Sequence, residues 1–363
     1  MPTPSPINPS LDNLTPLDFT SLNACLAGVG AWMDHALAHY VPKGEPEGHL
    51  YELAADYPNR GGKRFRPALL LICTGLVGGD PALALPSATA LELFQNFALV
   101  HDDIEDGSEL RRGKPALHRL HGVPLAINAG DLLFSLVFET LQDNHALLGA
   151  ERAHAIQGAF LEVFRRTFEG QAYDIGWVAG NTLPGREEFE RMISLKTGWY
   201  SGRGPCQLGA LIGGADADTV RRAGDYGEAL GIGFQLRDDL LNLTEDSGTA
   251  APTAMGGGYG KERGGDFAEG KRTLIVIEML ERLSAADADR LREILTAPPE
   301  QTAPEDVRWA IDAADGCGAI AAVQARAAQQ GQTAREALQS LPPGPHRDLL
   351  DGLTGYLIME RRA

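Results

Sequence analysis

The stretch HDDIEDGSELRRG, residues 101–113, sets Asp102, Asp103 and Asp106 in an acid-acid-x-x-acid spacing and then brings in Arg111 and Arg112. On a helix, residues four apart share a face, so Asp102 and Asp106 would project side by side. Two carboxylates so placed repel each other unless a cation lies between them. Hard divalent ions such as Mg²⁺ take oxygen ligands, keep several waters and commonly bridge carboxylates to substrate phosphates. In a chain this acidic such a triplet arises by chance roughly once. Taken alone, it is explained as well by a solvated helix end.

A second acidic pair, Asp238 and Asp239, lies in GIGFQLRDDLLNL, with Asn242 where a third acid would complete the pattern. Its apolar surroundings suit a helix buried on most sides, where an unpartnered carboxylate is costly. Cations gather elsewhere. NRGGKRFRPALLLICTGL carries Lys63, Arg64 and Arg66 just ahead of Pro67, which suits the first turn of a helix. Positive side chains there face the positive end of the helix dipole, at a cost of roughly 0.3–1 kcal/mol each when exposed. A bound anion reverses that sign, because cations and free N–H groups then converge on it. SLKTGWY adds Lys196 beside Thr197, and YGKERGGDFAEGKRTL adds Lys261 and Lys271 around Asp266. The carboxylates ask for a metal and the cations for a highly charged anion; a diphosphate with Mg²⁺ satisfies both.

The elements that must position these groups read as helices. ALELFQNFALVHDDIED, NAGDLLFSLVFETLQDN, GAFLEVFRRTFEGQAYDIG and GDYGEALGIGFQLRDDLLNL all carry apolar residues at three- and four-residue intervals. Two-residue alternation is scarce and hairpin turn chemistry is not evident. The expected fold class is all-α: one helical bundle over residues 21–363, behind a disordered leader at 1–20, with functional side chains projecting between facing helices. VPKGEPEGH (41–49) reads as a loop, and so does the glycine-rich 245–266.

The chain has 363 residues, 44% of them hydrophobic, so a large core can be buried. Its net charge of −17 argues against nucleic acid or an anionic membrane surface as main partner. Four widely spaced cysteines without a C-x-x-C pair fit a reduced, cytoplasmic setting. No uninterrupted apolar run reaches the eighteen or so residues of a membrane span, so no transmembrane segment is expected.

The motifs GGKRFRP, HDDIEDGSELRRG, KTG, FQLRDDLLN and GGDFAEGKRTL stand in the order seen in the head-to-tail trans-isoprenyl diphosphate synthases, the polyprenyl synthetase family, and the chain resembles that family from about residue 25 onward. The resemblance implies a homodimeric all-α enzyme with a deep central cavity and three Mg²⁺ ions on the two acidic motifs. It implies that Asp102, Asp106 and Asp238 are metal ligands, with Asp103 and Asp239 supporting the same cluster. It puts Lys63, Arg66, Gln95 and Arg112 on isopentenyl diphosphate. Arg111, Lys196, Thr197, Gln235, Lys261 and Lys271 would hold the allylic diphosphate, with Lys196, Thr197 and Gln235 nearest the reacting carbon.

Product length in such an enzyme is set by what blocks the cavity beneath the first acidic motif. Phe97 and Phe94 lie five and eight residues before Asp102, roughly 7 and 12 Å down a helix, while Ala98 leaves space. That pattern is similar to geranylgeranyl diphosphate synthases; a farnesyl-producing enzyme is the alternative, and Phe94 and Phe97 as plain core residues is another. A terpene cyclase would not need the GGKRFRP site, and a non-catalytic subunit would have lost more acids than the one replaced by Asn242. Three features depart from the pattern: Asn242 in place of the last acid of the second motif, Arg203, where a small or apolar residue is expected, and the 251–258 insertion; the basic tail at Arg361 and Arg362 resembles the family's.

Overall fold

A computed structural model describes residues 14–244, 263–298 and 301–360. Among these residues α1 (Leu22–Tyr40) starts where Ser21 Oγ accepts from Ala24 N at 3.2 Å, an N-cap bond that satisfies a donor the helix cannot. Short α2 (Glu52–Asn59) leads to α3 (Phe65–Leu76), which holds Pro67 in its first turn, and then to α4 (Leu85–Glu105). A small antiparallel hairpin, β1 (Leu110–Arg111) with β2 (Lys114–Pro115), precedes α5 (Leu117–His121), α6 (Val123–Leu148) and α7 (Ala150–Ala179).

Next come α8 (Arg186–Ile193), a wide π-helical stretch Ser194–Arg203 and α9 (Gly204–Ile212). The backbone stays right-handed helical at Ile193, Ser194, Arg203 and Gly204, so these three pieces form one continuous rod. A π-helical segment widens the turn and is frequent at functional sites. The long α10 (Ala217–Thr244) follows. Beyond residue 262 come α11 (Gly265–Ala268), α12 (Leu274–Arg282), α13 (Ala285–Thr296), α14 (Pro304–Gly316), α15 (Ala319–Leu338) and α16 (Pro345–Thr354).

One hydrophobic cluster runs from Cys25 to Ile358. α4 is its axis, buried on nearly every side from Leu85 to Phe97. α10 packs against α15 on one flank and the π-helical rod on the other. Tyr226 fixes its far end by donating to Leu350 O of α16 at 2.9 Å.

The contact between the rod and α10 is made by glycines. A Cβ on Gly202 would lie 1.8 Å from Gly227 O, and one on Gly227 would lie 2.2 Å from Gly202 O. With no side chain between them, the two backbones approach as closely as helices can.

Three expectations need correction. Residues 14–20 are not a disordered leader: Leu14, Leu17 and Phe19 pack on the core, and Trp32 Nε1 donates to Thr15 O at 2.9 Å. A buried indole N–H needs an acceptor, and Thr15 supplies it. The loop read at 41–49 ends early, because Glu47–Tyr51 already forms a π-helical turn running into α2. A hairpin does occur, with Arg112 and Gly113 both at positive φ (+54° and +74°) in its two-residue loop. Such loops favour Asn-Gly or Asp-Gly, so Arg-Gly escaped a reading based on turn residues.

All four cysteines are free, as expected. Two helical stretches, Pro81–Glu105 and α6, are long and apolar enough to cross a membrane, which a count of uninterrupted runs does not detect. The first is 83% buried over its apolar window and is core. The second has an apolar face that α7 does not cover, where Val123 and Ile127 are exposed, as are Leu161, Tyr173 and Val178 of α7. The 251–258 insertion, Lys261 and the tail arginines lie outside the described residues.

Candidate active site

Four helical walls converge on one cavity of about 380 Å³. The last turn of α4 presents Asp102 to it, α7 presents Gln171 and Asp174, the π-helical rod presents Lys196, Thr197 and Tyr200, and α10 presents Gln235, Asp238 and Asp239. The segment after α11 closes the ring with Lys271. Asp102 and Asp106 stand at the negative end of the α4 dipole, where a carboxylate is disfavoured and a cation is drawn.

The acids on the α4 side are matched by lysines. Lys271 Nζ lies 2.7 Å from Asp106 and 3.1 Å from Glu269. Lys196 Nζ lies 2.5 Å from Asp174 and 3.6 Å from Asp102. Burial and the neighbouring Asp102 still push the Asp106 carboxyl up to about 6. Asp239 is pushed up to about 8, by burial first and then by Asp266. These are the marks of carboxylates crowded beyond what the lysines offset.

The donor set is all oxygen and comes from opposite walls, which fits a hard divalent ion that keeps waters and takes substrate phosphate oxygens. Among the described residues no three His, Cys, Asp or Glu side chains are gathered closely enough to hold an ion by themselves. Lys196 and Lys271, both half-buried, are held charged by their carboxylate partners, well above the usual lysine range.

The polar chain beneath the acids is ordered. Thr197 Oγ1 donates to Gln235 Oε1 at 3.1 Å, and Gln235 Nε2 donates to Asp239 Oδ1 at 2.8 Å. On the other side Arg66 donates to the hydroxyls of Tyr200 and Ser201, each at 2.8 Å, and Gln95 keeps a buried Oε1 without a partner at the cavity wall. Below them sits an aromatic floor. Phe94 stacks on Phe164 with centroids 4.4 Å apart, Phe97 stacks on Phe134 at 4.8 Å, and Phe168 meets both edge-on. Phe94, Phe97 and Ala98 all line the cavity.

Most of the residues singled out from the sequence therefore meet in one place, with three exceptions among those described. Asp106 does not line the cavity and reaches it only through Lys271. Lys63 does not line the cavity, and its ammonium lies 6.0 Å from the Tyr356 ring centroid. Asp103, expected beside the metal, is wholly buried behind it. Its oxygens take a bidentate grip from Arg111 and a 2.5 Å hydrogen bond from Tyr57. A carboxylate so engaged orients an arginine and has no face left for an ion.

Arg203 is accounted for as well, because it pairs with Glu228 at 2.7 Å and Asp225 at 2.6 Å on α10. Asn242, fully buried, accepts from Asp266 N at 3.3 Å, so it anchors the strand of chain that leads to Lys271. Sequence reasoning missed Gln171 and Asp174. Their three-residue spacing puts them on one helical face, but nothing in EGQAYDIG separates that face from ordinary solvated α7 surface.

Comparison with known proteins agrees with this geometry. The polyprenyl synthetase family model matches residues 47–314. The geranylgeranyl pyrophosphate synthase of Geoglobus acetivorans is 35% identical over 314 residues, 86% of this chain and 91% of that protein. The crystal structure of the geranylgeranyl pyrophosphate synthetase of Pyrococcus horikoshii superimposes with a TM-score of 0.83 at 35% identity, covering 94% of this chain and 98% of that one. The geranylgeranyl pyrophosphate synthase of Corynebacterium glutamicum, solved with isoprenyl diphosphate and magnesium, gives a TM-score of 0.81 at 27% identity over 95% and 100% of the two chains. An all-helical transferase with an acid-lined cavity is the class so defined. The chain belongs to the polyprenyl synthetase family and is a prenyltransferase.

Proposed function

We propose that the protein condenses isopentenyl diphosphate with an allylic diphosphate, head to tail, to give geranylgeranyl diphosphate. The observation that carries this reading is a single cavity with paired acids and lysines at its mouth and stacked phenylalanines at its floor. Asp102, Asp106 and Asp238 would hold Mg²⁺, with Asp239 behind them and three ions per site. When bound, the metal supplies Lewis-acid stabilisation of charge on the departing diphosphate.

Lys196, Lys271 and Arg111 bind the allylic diphosphate, and with Lys261 they favour the negative charge that builds as its C–O bond breaks. Lys63, Arg66, Gln95 and Arg112 take isopentenyl diphosphate. The electron pair of the broken bond leaves with diphosphate, and the isopentenyl double bond forms the new C–C bond at the allylic carbon. A proton then leaves to the released diphosphate. Thr197 and Gln235 offer oxygen dipoles toward the positive carbon. The apolar floor excludes water, which would otherwise capture that carbon.

Purified protein given Mg²⁺, labelled isopentenyl diphosphate and each allylic primer in turn should yield a twenty-carbon main product. A fifteen-carbon product would keep the reaction and overturn the length assignment. No condensation despite Mg²⁺-dependent diphosphate binding would favour a partner-dependent, non-catalytic subunit. Phe97→Ala should shift the main product by at least one five-carbon unit, since it removes the ring that stacks on Phe134. An unchanged product would show that the chain never reaches Phe97.

Two similar copies would cover the apolar face of α6 and α7, and we take the enzyme to be a homodimer working in the cytoplasm. Gel filtration with light scattering tests the first point.

A further inference from the structure

The hairpin that carries Arg111 and Arg112 is gripped from behind by Tyr57 of α2 and by Arg60, which caps that helix; no role is read for either from the sequence. Tyr57 OH donates to Asp103, the carboxylate that holds Arg111, and accepts from Leu117 N at 3.0 Å just past the hairpin. The Tyr57 carbonyl accepts from Arg112 Nη1 at 2.8 Å. Arg60 donates to Arg111 O at 2.9 Å and to Pro115 O at 3.0 Å, one bond to each strand. Arg60 is itself anchored by Asp56 at 2.6 Å and lies over the Tyr57 ring, 4.6 Å from its centroid.

Such a grip has a physical task. Arg112 sits at φ +54°, a conformation that a long side chain rarely adopts and that surrounding contacts must enforce. Its half-buried guanidinium stands near three others, Arg60, Arg64 and Arg111, and burial together with their repulsion outweighs the pull of Glu92 and favours its escape to water. The Tyr57 carbonyl, accepting from it at 2.8 Å, holds it in place.

We propose that Tyr57 and Arg60 are positioning residues: together they hold Arg111 and Arg112 at the spacing that grips two diphosphates. The inference rests on the reading that those arginines bind diphosphate. Tyr57 acts on Arg111 through Asp103 and on Arg112 through its carbonyl. Arg60 fixes the backbone of the hairpin.

The test compares Tyr57→Phe and Arg60→Met with Tyr40→Phe, which also removes a hydroxyl bonded to an acid, Asp143 at 2.6 Å, away from the cavity. Steady-state KM for each substrate, kcat, and calorimetric titration with inorganic diphosphate plus Mg²⁺ are the readouts. Tyr57→Phe should raise the allylic KM about tenfold and Arg60→Met the isopentenyl KM about tenfold, as for a lost hydrogen bond that orients a charged group. Tyr40→Phe should move neither. Wild-type KM values in both variants, with only a lower melting temperature, overturn the proposal.

If Arg60→Met does not fold, Arg60→Lys, which keeps the charge but loses the fork, replaces it. Arg111→Met and Arg112→Met separate the two levels. If they leave diphosphate binding intact, the reading of the arginines fails. If they weaken it while Tyr57→Phe and Arg60→Met do not, the clamp alone fails.

Discussion

Asp102→Ala should lower kcat/KM for condensation by on the order of a thousandfold and leave the melting temperature unchanged or higher. The two effects have opposite signs for one reason. Asp102 stands at the carboxyl end of α4 beside Asp106, and its charge helps push the Asp106 carboxyl up to about 6. Removing it relieves repulsion and an unfavourable dipole contact. Its loss leaves no lysine stranded, because Lys196 keeps Asp174 at 2.5 Å. The folded protein loses little, while by the reading proposed above the metal would lose a ligand. Acids kept where they destabilise the fold are the pattern expected of a working site. A fall in melting temperature with activity retained would instead make Asp102 a structural residue.

Gly202→Ala should have the largest effect on folding, a loss of about 3 kcal/mol or more. The new methyl would sit 1.8 Å from Gly227 O, a backbone atom that cannot rotate aside. Relief requires the π-helical rod and α10 to part. These two elements carry Lys196 and Thr197 on one side and Gln235, Asp238 and Asp239 on the other, so parting them also lengthens the 3.1 Å bond from Thr197 to Gln235. Thermal unfolding and residual condensation measured together are the check. An alanine variant with wild-type values of both would mean that the helices slide freely.

How much of this was legible depended on what kind of signal each feature leaves. The acidic pairs and the lysines were visible because charge against an apolar background is conspicuous, and the helices because their apolar spacing is regular. Phe94, Phe97 and Ala98 could be placed on the cavity wall by counting back from Asp102 along one helix. Asp103 looked like its neighbours in the motif; only its burial, one residue around the helix, sets it apart. Gln171 and Asp174 belong to the site through the packing of α7 on the rod, which leaves no mark in a short polar stretch. Arg60 acts through backbone carbonyls of the hairpin and Tyr57 in part through its own, and a carbonyl has no letter in the sequence. The glycine seam was hidden for a related reason, since its content is the absence of atoms.

The pairing of Asp102 and Asp106 with lysines also has a thermodynamic consequence. By the reading proposed above, a divalent cation alone would find its carboxylates occupied by ammonium groups, and a diphosphate alone would find its lysines occupied by carboxylates. Arriving together, each frees the groups that the other needs. The two affinities are then linked, and linkage is reciprocal: whatever factor metal adds to diphosphate binding, diphosphate adds to metal binding. A resting site whose charges are offset in part in this way becomes selective for the complex of the two over either one.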